Sequence, residues 1–294
     1  MARTIAVSNH KGGVGKTVTT KNIGIALARQ GQKVLLIEFD PQGNLTVGLG
    51  YKELDELPFT ISDVIMKIVN NEPFDIMQGI LSHEEGIDLM PANHNLSGFE
   101  ASLINELGRE TLLKRYVQAV GDMYDFILID CQPSTNILTI NAFVAADSIL
   151  IPTQAEEYSK DGIEQMKSLH HRITASGMNE TLKFEGIVFT MWDRQTKYAN
   201  RIKGEIVEMY GSSINIFEPV IPFTVRIREA NDKGVSIFAY DEKSKAIEPF
   251  ELIGKEIISN ERRRQESRNQ FRRLVPGGGA GARGKKQDRK AVDR

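Results

Sequence analysis

Cysteine is nearly missing from this chain of 294 residues, where Cys131 stands alone. One thiol makes no internal disulfide and cannot by itself hold a metal cluster, so a reducing, cytoplasmic setting is expected. Long hydrophobic runs are missing too. No stretch approaches the ~18 apolar residues needed to span a bilayer. The segment from Met1 to Val7 is too short for a secretory leader, and cleavage there would destroy the glycine-rich loop that follows. No internal repeat is visible, and tryptophan occurs once, at Trp192.

What is there is an ordinary globular balance, 40% hydrophobic and 26% charged. The length allows one large α/β domain or two small ones. Net charge is −2 but unevenly placed: residues 260–294 carry 12 Lys/Arg against 4 Asp/Glu, leaving 25 basic against 35 acidic residues elsewhere. An acidic body with a basic tail raises nucleic acid or anionic lipid as a partner, and a solvated tail with no partner is the plainer alternative.

Short apolar runs end at polar or glycine-rich segments. Thr4–Ser8, Val34–Ile37, Phe126–Ile129, Ser148–Ile151, Phe184–Thr190 and Ile214–Ile221 read as strands, with another near Ile87–Met90. Thr17 to about Arg29 reads as a helix closed by Gly31, and a last helix is expected from about Lys243 to Asn260. Strands alternating with helices predict an α/β fold, a predominantly parallel sheet flanked by helices on both faces. Ligands of such sheets sit beyond the carboxyl ends of the strands. The glycine-rich loop, Asp40, Asp130 and Pro152 all fall there. Residues 1–260 are expected to form one domain and 261–294 a basic extension. Residues 261–275 would prolong the helix, and the glycine-rich stretch from about 276 would be disordered.

The loop Lys11-Gly12-Gly13-Val14-Gly15-Lys16-Thr17 departs from the ordinary G-x-x-x-x-G-K-[ST] pattern, because His10 holds the first glycine position. Glycines let backbone N–H groups converge on phosphate oxygens, and the helix opening through Thr17 and Val18 directs its positive end at the anion. Lys16 would neutralise the β/γ-phosphates and Thr17 would ligate Mg²⁺. Lys11 is a second cation, suited either to the same triphosphate or to another subunit's nucleotide.

With these residues the chain resembles the ParA/MinD ATPases, whose deviant phosphate loop Lys11–Thr17 matches. The segments Val34–Asn44, Tyr124–Ser134, Thr139–Ala142, Ile151–Gln154 and Val220–Arg226 are similar to the ParA/Soj branch, in order, over about residues 1–258. The resemblance implies ATP and Mg²⁺ as cofactors. It implies an ATP-sandwich homodimer in which Lys11 crosses the interface, with Asp40 positioning or activating water and Asp130 supporting Mg²⁺. It places adenine between residues 190–193, with Met191 and Asp193, and Ile221-Pro222. It implies non-specific DNA binding, hydrolysis stimulated by a ParB-like partner, and a cytoplasmic, nucleoid-associated protein of the short type with no DNA-reading domain before the ATPase. Candidate DNA contacts are Lys197, Arg201 and Lys203, then Arg226 and Arg228, with Lys233 nearby. Two departures stand beside the site: Glu38 where the branch has Asp, and Gln132 where it has Pro. The alternative is a MinD-like membrane-cycling ATPase docking Phe271, Leu274 and Val275 on an anionic bilayer. A cluster-carrying relative would need more thiolates than Cys131.

Overall fold

The computed structural model describes residues 1–103, 106–193 and 196–274. The chain divides into two compact units, residues 1–257 and 258–294. Strand β1 (Arg3–Val7) is followed by α1 (Lys16–Arg29), β2 (Val34–Phe39), α2 (Asn44–Gly48), α3 (Ile61–Val69), β3 (Leu81–Ser82) and β4 (Asp88–Met90). Next come α4 (Asn95–Ser102), α5 (Leu112–Val120), β5 (Phe126–Cys131), α6 (Ile137–Ala145), β6 (Ser148–Thr153), α7 (Ser159–Ala175) and β7 (Lys183–Phe189). Helices α8 (Lys197–Tyr210), α9 (Val225–Asp232), α10 (Ile237–Tyr240) and α11 (Ile247–Leu274) complete the described chain.

The strands form one sheet in the order β3-β4-β2-β5-β1-β6-β7. Every neighbouring pair is parallel except β3–β4. Alternation along buried strands sends side chains to opposite faces. Ala6, Leu35, Ile37, Ile127 and Ile129 join a cluster with residues of α3, α5, α6 and α7. Leu36 points the other way, against α1, where a Cβ on Gly24 would lie 2.6 Å from its Cδ2. Because both faces are covered, the strands are largely apolar, as the sequence pattern requires. Helix α1 is itself buried along most of its length, so it lacks a strong amphipathic stripe.

Two element assignments need correction. Residues 214–221 form no strand. They run beside β7 through an isolated bridge at Ile187–Ile216 and a bond from Ile221 N to Phe189 O, and Pro222 just beyond bridges Trp192. Pro219 and Pro222 bring no N–H to a ladder, which breaks a regular strand. The last helix starts at Ile247 rather than near Lys243, because Asp241 closes a turn through Lys243 N and Ser244 N. It then continues to Leu274. The expected disorder of 276–294 lies outside the described residues, as do Val275 and the side chains of Phe271 and Leu274. No helix among the described residues is long and apolar enough to cross a membrane.

Candidate functional site

Strand β1 lies between β5 and β6, so the chain leaves it at the point where connections diverge to the two sides of the sheet. The loop at residues 8–15 fills that point. Gly13 (φ +73°) and Gly15 (φ +82°) adopt the left-handed conformation that other residues reach only with strain. Space around Gly12 and Gly13 is open, with nothing within 4 Å of an added Cβ.

Distant side chains hold the loop's carbonyls. Lys16 Nζ donates to Lys11 O at 3.1 Å, Gln154 Nε2 to Gly13 O at 3.0 Å and Thr190 Oγ1 to Val14 O at 2.8 Å. Asn9 anchors the loop's start, donating to Pro152 O at 2.8 Å and accepting from Lys11 N at 3.0 Å. Three of the loop's carbonyls are thus occupied by side-chain donors. Residues 12–15 donate no backbone hydrogen bond to a protein carbonyl among the described residues. Unpaired donors at a helix N-terminus make an anion cradle.

Lys16 is buried beside this cradle. Burial lowers its pKa, against the opposing pull of Asp130, Cys131 and Asp40. Asp130, at the end of β5, accepts from Thr17 Oγ1 at 2.7 Å and Thr20 Oγ1 at 3.1 Å. Burial pushes its carboxyl up to about 7, against the hydrogen bonds from Thr17 and Thr20 and the charge of Lys16. Glu38 pairs in register with Asp130. Its Oε2 accepts from Leu45 N at 2.6 Å and Thr46 N at 3.0 Å, capping α2. Burial and the nearby Asp130 raise the Glu38 pKa well above the usual range. Asp40 closes its own turn by accepting from Gln42 N at 3.0 Å. Lys11 reaches outward, and its Nζ pairs with Glu156 in the turn after β6.

A cavity of about 260 Å³ opens beside the loop. Gly15, Val18 and Thr19 form one wall, Thr190 and Met191 another. Ile221, Pro222, Phe223 and the α9 residues Ile227, Arg228 and Asn231 close it. The Trp192–Pro222 bridge brings these two segments together. A largely apolar slot adjoining an anion cradle suits a ring system attached to phosphates.

A family model described as an AAA domain matches residues 2–184. The chain is 37% identical to the sporulation initiation inhibitor protein Soj of Bacillus subtilis over 260 residues, 88% of this chain and all of that protein. It is 36% identical to the chromosome partitioning protein ParA of Caulobacter vibrioides, covering 90% of this chain and 96% of the relative. The chain belongs to the ParA/Soj family. Its fold is also that of cobyrinic acid a,c-diamide synthase from Mycobacterium smegmatis, solved with an ATP analog and magnesium. The two are 32% identical with a TM-score of 0.76, over 87% of this chain and 93% of that one.

As a ParA/Soj family member, the chain brings Lys11–Val18, Asp40 and Asp130 to one end of the sheet. Met191 and Pro222 line the slot, whereas Asp193 is not among its lining residues. Trp192 is buried and packs edge-on against Phe189. The basic residues divide. Arg228 lines the slot and stacks on Phe223 at 5.3 Å. Lys203 lies 5.6 Å from the ring centres of both Phe189 and Trp192. Arg201 is paired with Glu157 and Glu205, and Arg226 with Glu229 and Asp241. Lys197 is exposed at the start of α8. Sequence reasoning missed Asn9, Gln154 and the slot-lining part of α9. Gln154 stood within a family-like segment, but nothing in it indicated a bond to Gly13.

Proposed function

We propose that this chain is an ATP-hydrolysing DNA partition protein that closes into a homodimer on binding ATP. The observation that carries the reading is the loop itself, with its carbonyls tied back and its N–H groups released beside two lysines. Similarity to Soj and ParA along nearly the whole chain supports the partition role.

The residues fit ATP and Mg²⁺. The loop N–H groups without a backbone acceptor and the open glycine positions match a polyphosphate, and the adjoining slot matches a base. The Thr17 hydroxyl and the Asp130 carboxylate set hard oxygen donors side by side. Magnesium, when bound, supplies positive charge against the β/γ-phosphates. Lys16 neutralises the same oxygens from within the loop. Asp40, at the rim after β2, orients or activates the attacking water. Lys11 leaves Glu156 and reaches the partner's nucleotide, where a cation in trans stabilises charge developing in transfer.

DNA is held without sequence preference through phosphate contacts. Lys197, Arg201 and Arg226 supply the exposed charge, and Lys203 and Arg228 add to it. A ParB-like partner stimulates hydrolysis and releases the DNA, and the protein works in the cytoplasm on the nucleoid.

Dimerisation and binding to random duplex DNA with ATP, ADP and no nucleotide test this on wild type, Lys16→Ala and Asp40→Ala. Wild type is expected to dimerise and bind DNA only with ATP, with affinity falling steeply as salt rises. Lys16→Ala fails at both steps, and Asp40→Ala does both but hydrolyses poorly. DNA binding that ignores nucleotide and salt contradicts the reading. Turnover that needs a small carboxylic acid rather than DNA would favour amide-forming chemistry instead.

A further inference from the structure

Lys21 stands in the second turn of α1 and takes no part in the phosphate loop. It is 1% exposed. Burying an ammonium is costly unless all its donors are satisfied. Here all three are. Nζ donates to Gly48 O at 2.8 Å, Val235 O at 2.9 Å and Asn231 Oδ1 at 3.0 Å. Burial lowers its pKa to about 8, against the charge of Glu85, and three acceptors around Nζ call for all three hydrogens of the ammonium.

The acceptors lie on two segments, α2 and the stretch from α9 into the turn after it. Gly48 is the last residue of α2, the helix that begins just after the Asp40 turn. Its carbonyl is one of the C-terminal groups a helix leaves unpaired, and a cation there complements the helix dipole. The other end of α2 is held by the Glu38 carboxylate through Leu45 N and Thr46 N. The short helix is thus clamped between an acid at its N-terminus and a base at its C-terminus. Asn231 lies on α9 and lines the slot. Val235 follows in the turn after α9. The contact is close: a Cβ on Gly48 would lie 2.5 Å from Asn231 Oδ1. One residue along α1, Asn22 Oδ1 accepts from Ile237 N at 3.0 Å, fixing the same segment again.

We infer that Lys21 is a positioning residue that transmits occupancy of the base slot, through Asn231 and the α2 carbonyl, to the Asp40 turn. This rests on the nucleotide reading above. A base seated against α9 fixes Asn231. Lys21 carries that fixation to α2, and α2 carries it to Asp40. Phosphates alone, held by the loop, do not load this route.

The test is hydrogen exchange on the full chain with Mg²⁺ and ADP, compared with Mg²⁺ and inorganic tripolyphosphate. In wild type both ligands are expected to protect residues 12–18, and only ADP to protect 225–237 and 44–48. Lys21→Met keeps the length of the side chain and removes the charge. It is expected to retain the first two protections and lose that of 44–48. Its kcat for ATP falls about ten-fold while KM stays within about three-fold. Asn231→Ala breaks only the α9 arm and gives the same loss at 44–48, which keeps the inference testable if Lys21→Met does not fold. Absence of protection at 12–18 in wild type overturns the nucleotide reading. Protection there, with 44–48 indifferent to the base or unchanged in both variants, overturns the coupling alone.

Discussion

Thr17 donates to Asp130 at 2.7 Å and opens α1, so one hydroxyl is fixed by a buried carboxylate at the mouth of the anion cradle. In the proposed mechanism it is also a magnesium ligand. Removing it would take away one oxygen ligand of the ion. Thr17→Ala is therefore expected to weaken ATP binding about ten-fold or more with Mg²⁺ present and little in its absence, with Thr17→Ser restoring it. Titration with a fluorescent ATP analogue checks this, and equal losses in both conditions contradict the assignment. The loop was legible at this scale because its chemistry is local: the glycines, Lys16 and Thr17 are contiguous and lie between a strand and a helix. Its supports were not. Gln154 and Thr190 reach Gly13 and Val14 across sequence separations of 141 and 176 residues. Only the order of strands brings them there. Glu38 reads as a conservative departure from Asp, yet its carboxylate caps α2 and its environment raises its pKa.

Among the elements, the slot between residues 190–191 and 221–232 is built from two segments of different character. Residues 221–223 belong to the proline-broken run beside β7, and α9 follows from a Thr224 cap, whose Oγ1 accepts from Arg226 N at 3.2 Å. The sequence pattern placed a strand there because Ile214, Ile216, Val220 and Ile221 are apolar. The backbone does follow β7, but two prolines deny it a ladder. The slot predicts a separation of base from phosphate binding. Phe223 is 52% exposed and lines the slot, and an aromatic contact contributes about 0.5–1.5 kcal/mol. Phe223→Ala should weaken ATP binding by about five-fold and leave inorganic tripolyphosphate unaffected, as read by calorimetry. Equal weakening of both would place the base elsewhere. The basic residues of α8 and α9 were visible as a pattern, whereas their partners were not. Arg201 and Arg226 each hold two carboxylates, so phosphates must compete with weak, solvent-screened ion pairs.

The molecule as a whole joins an acidic body to a basic C-terminal segment. In the proposed function, repulsion between the body and a polyanion makes DNA binding depend on gathering scarce cations, and pairing two chains would double the number available to one duplex. Dimer formation is thus the step on which the proposed function turns, and in that proposal Lys11 is its agent. In one chain its ammonium is held by Glu156. Lys11→Ala should leave the anion cradle intact, since Lys16 bonds the backbone carbonyl of residue 11 rather than its side chain. The decisive measurement is the mass of wild type and Lys11→Ala in solution with saturating ATP and Mg²⁺. Wild type should double its mass, while Lys11→Ala binds ATP and remains a monomer. A variant that dimerises as wild type does, or a wild type whose mass ignores ATP, would contradict the account.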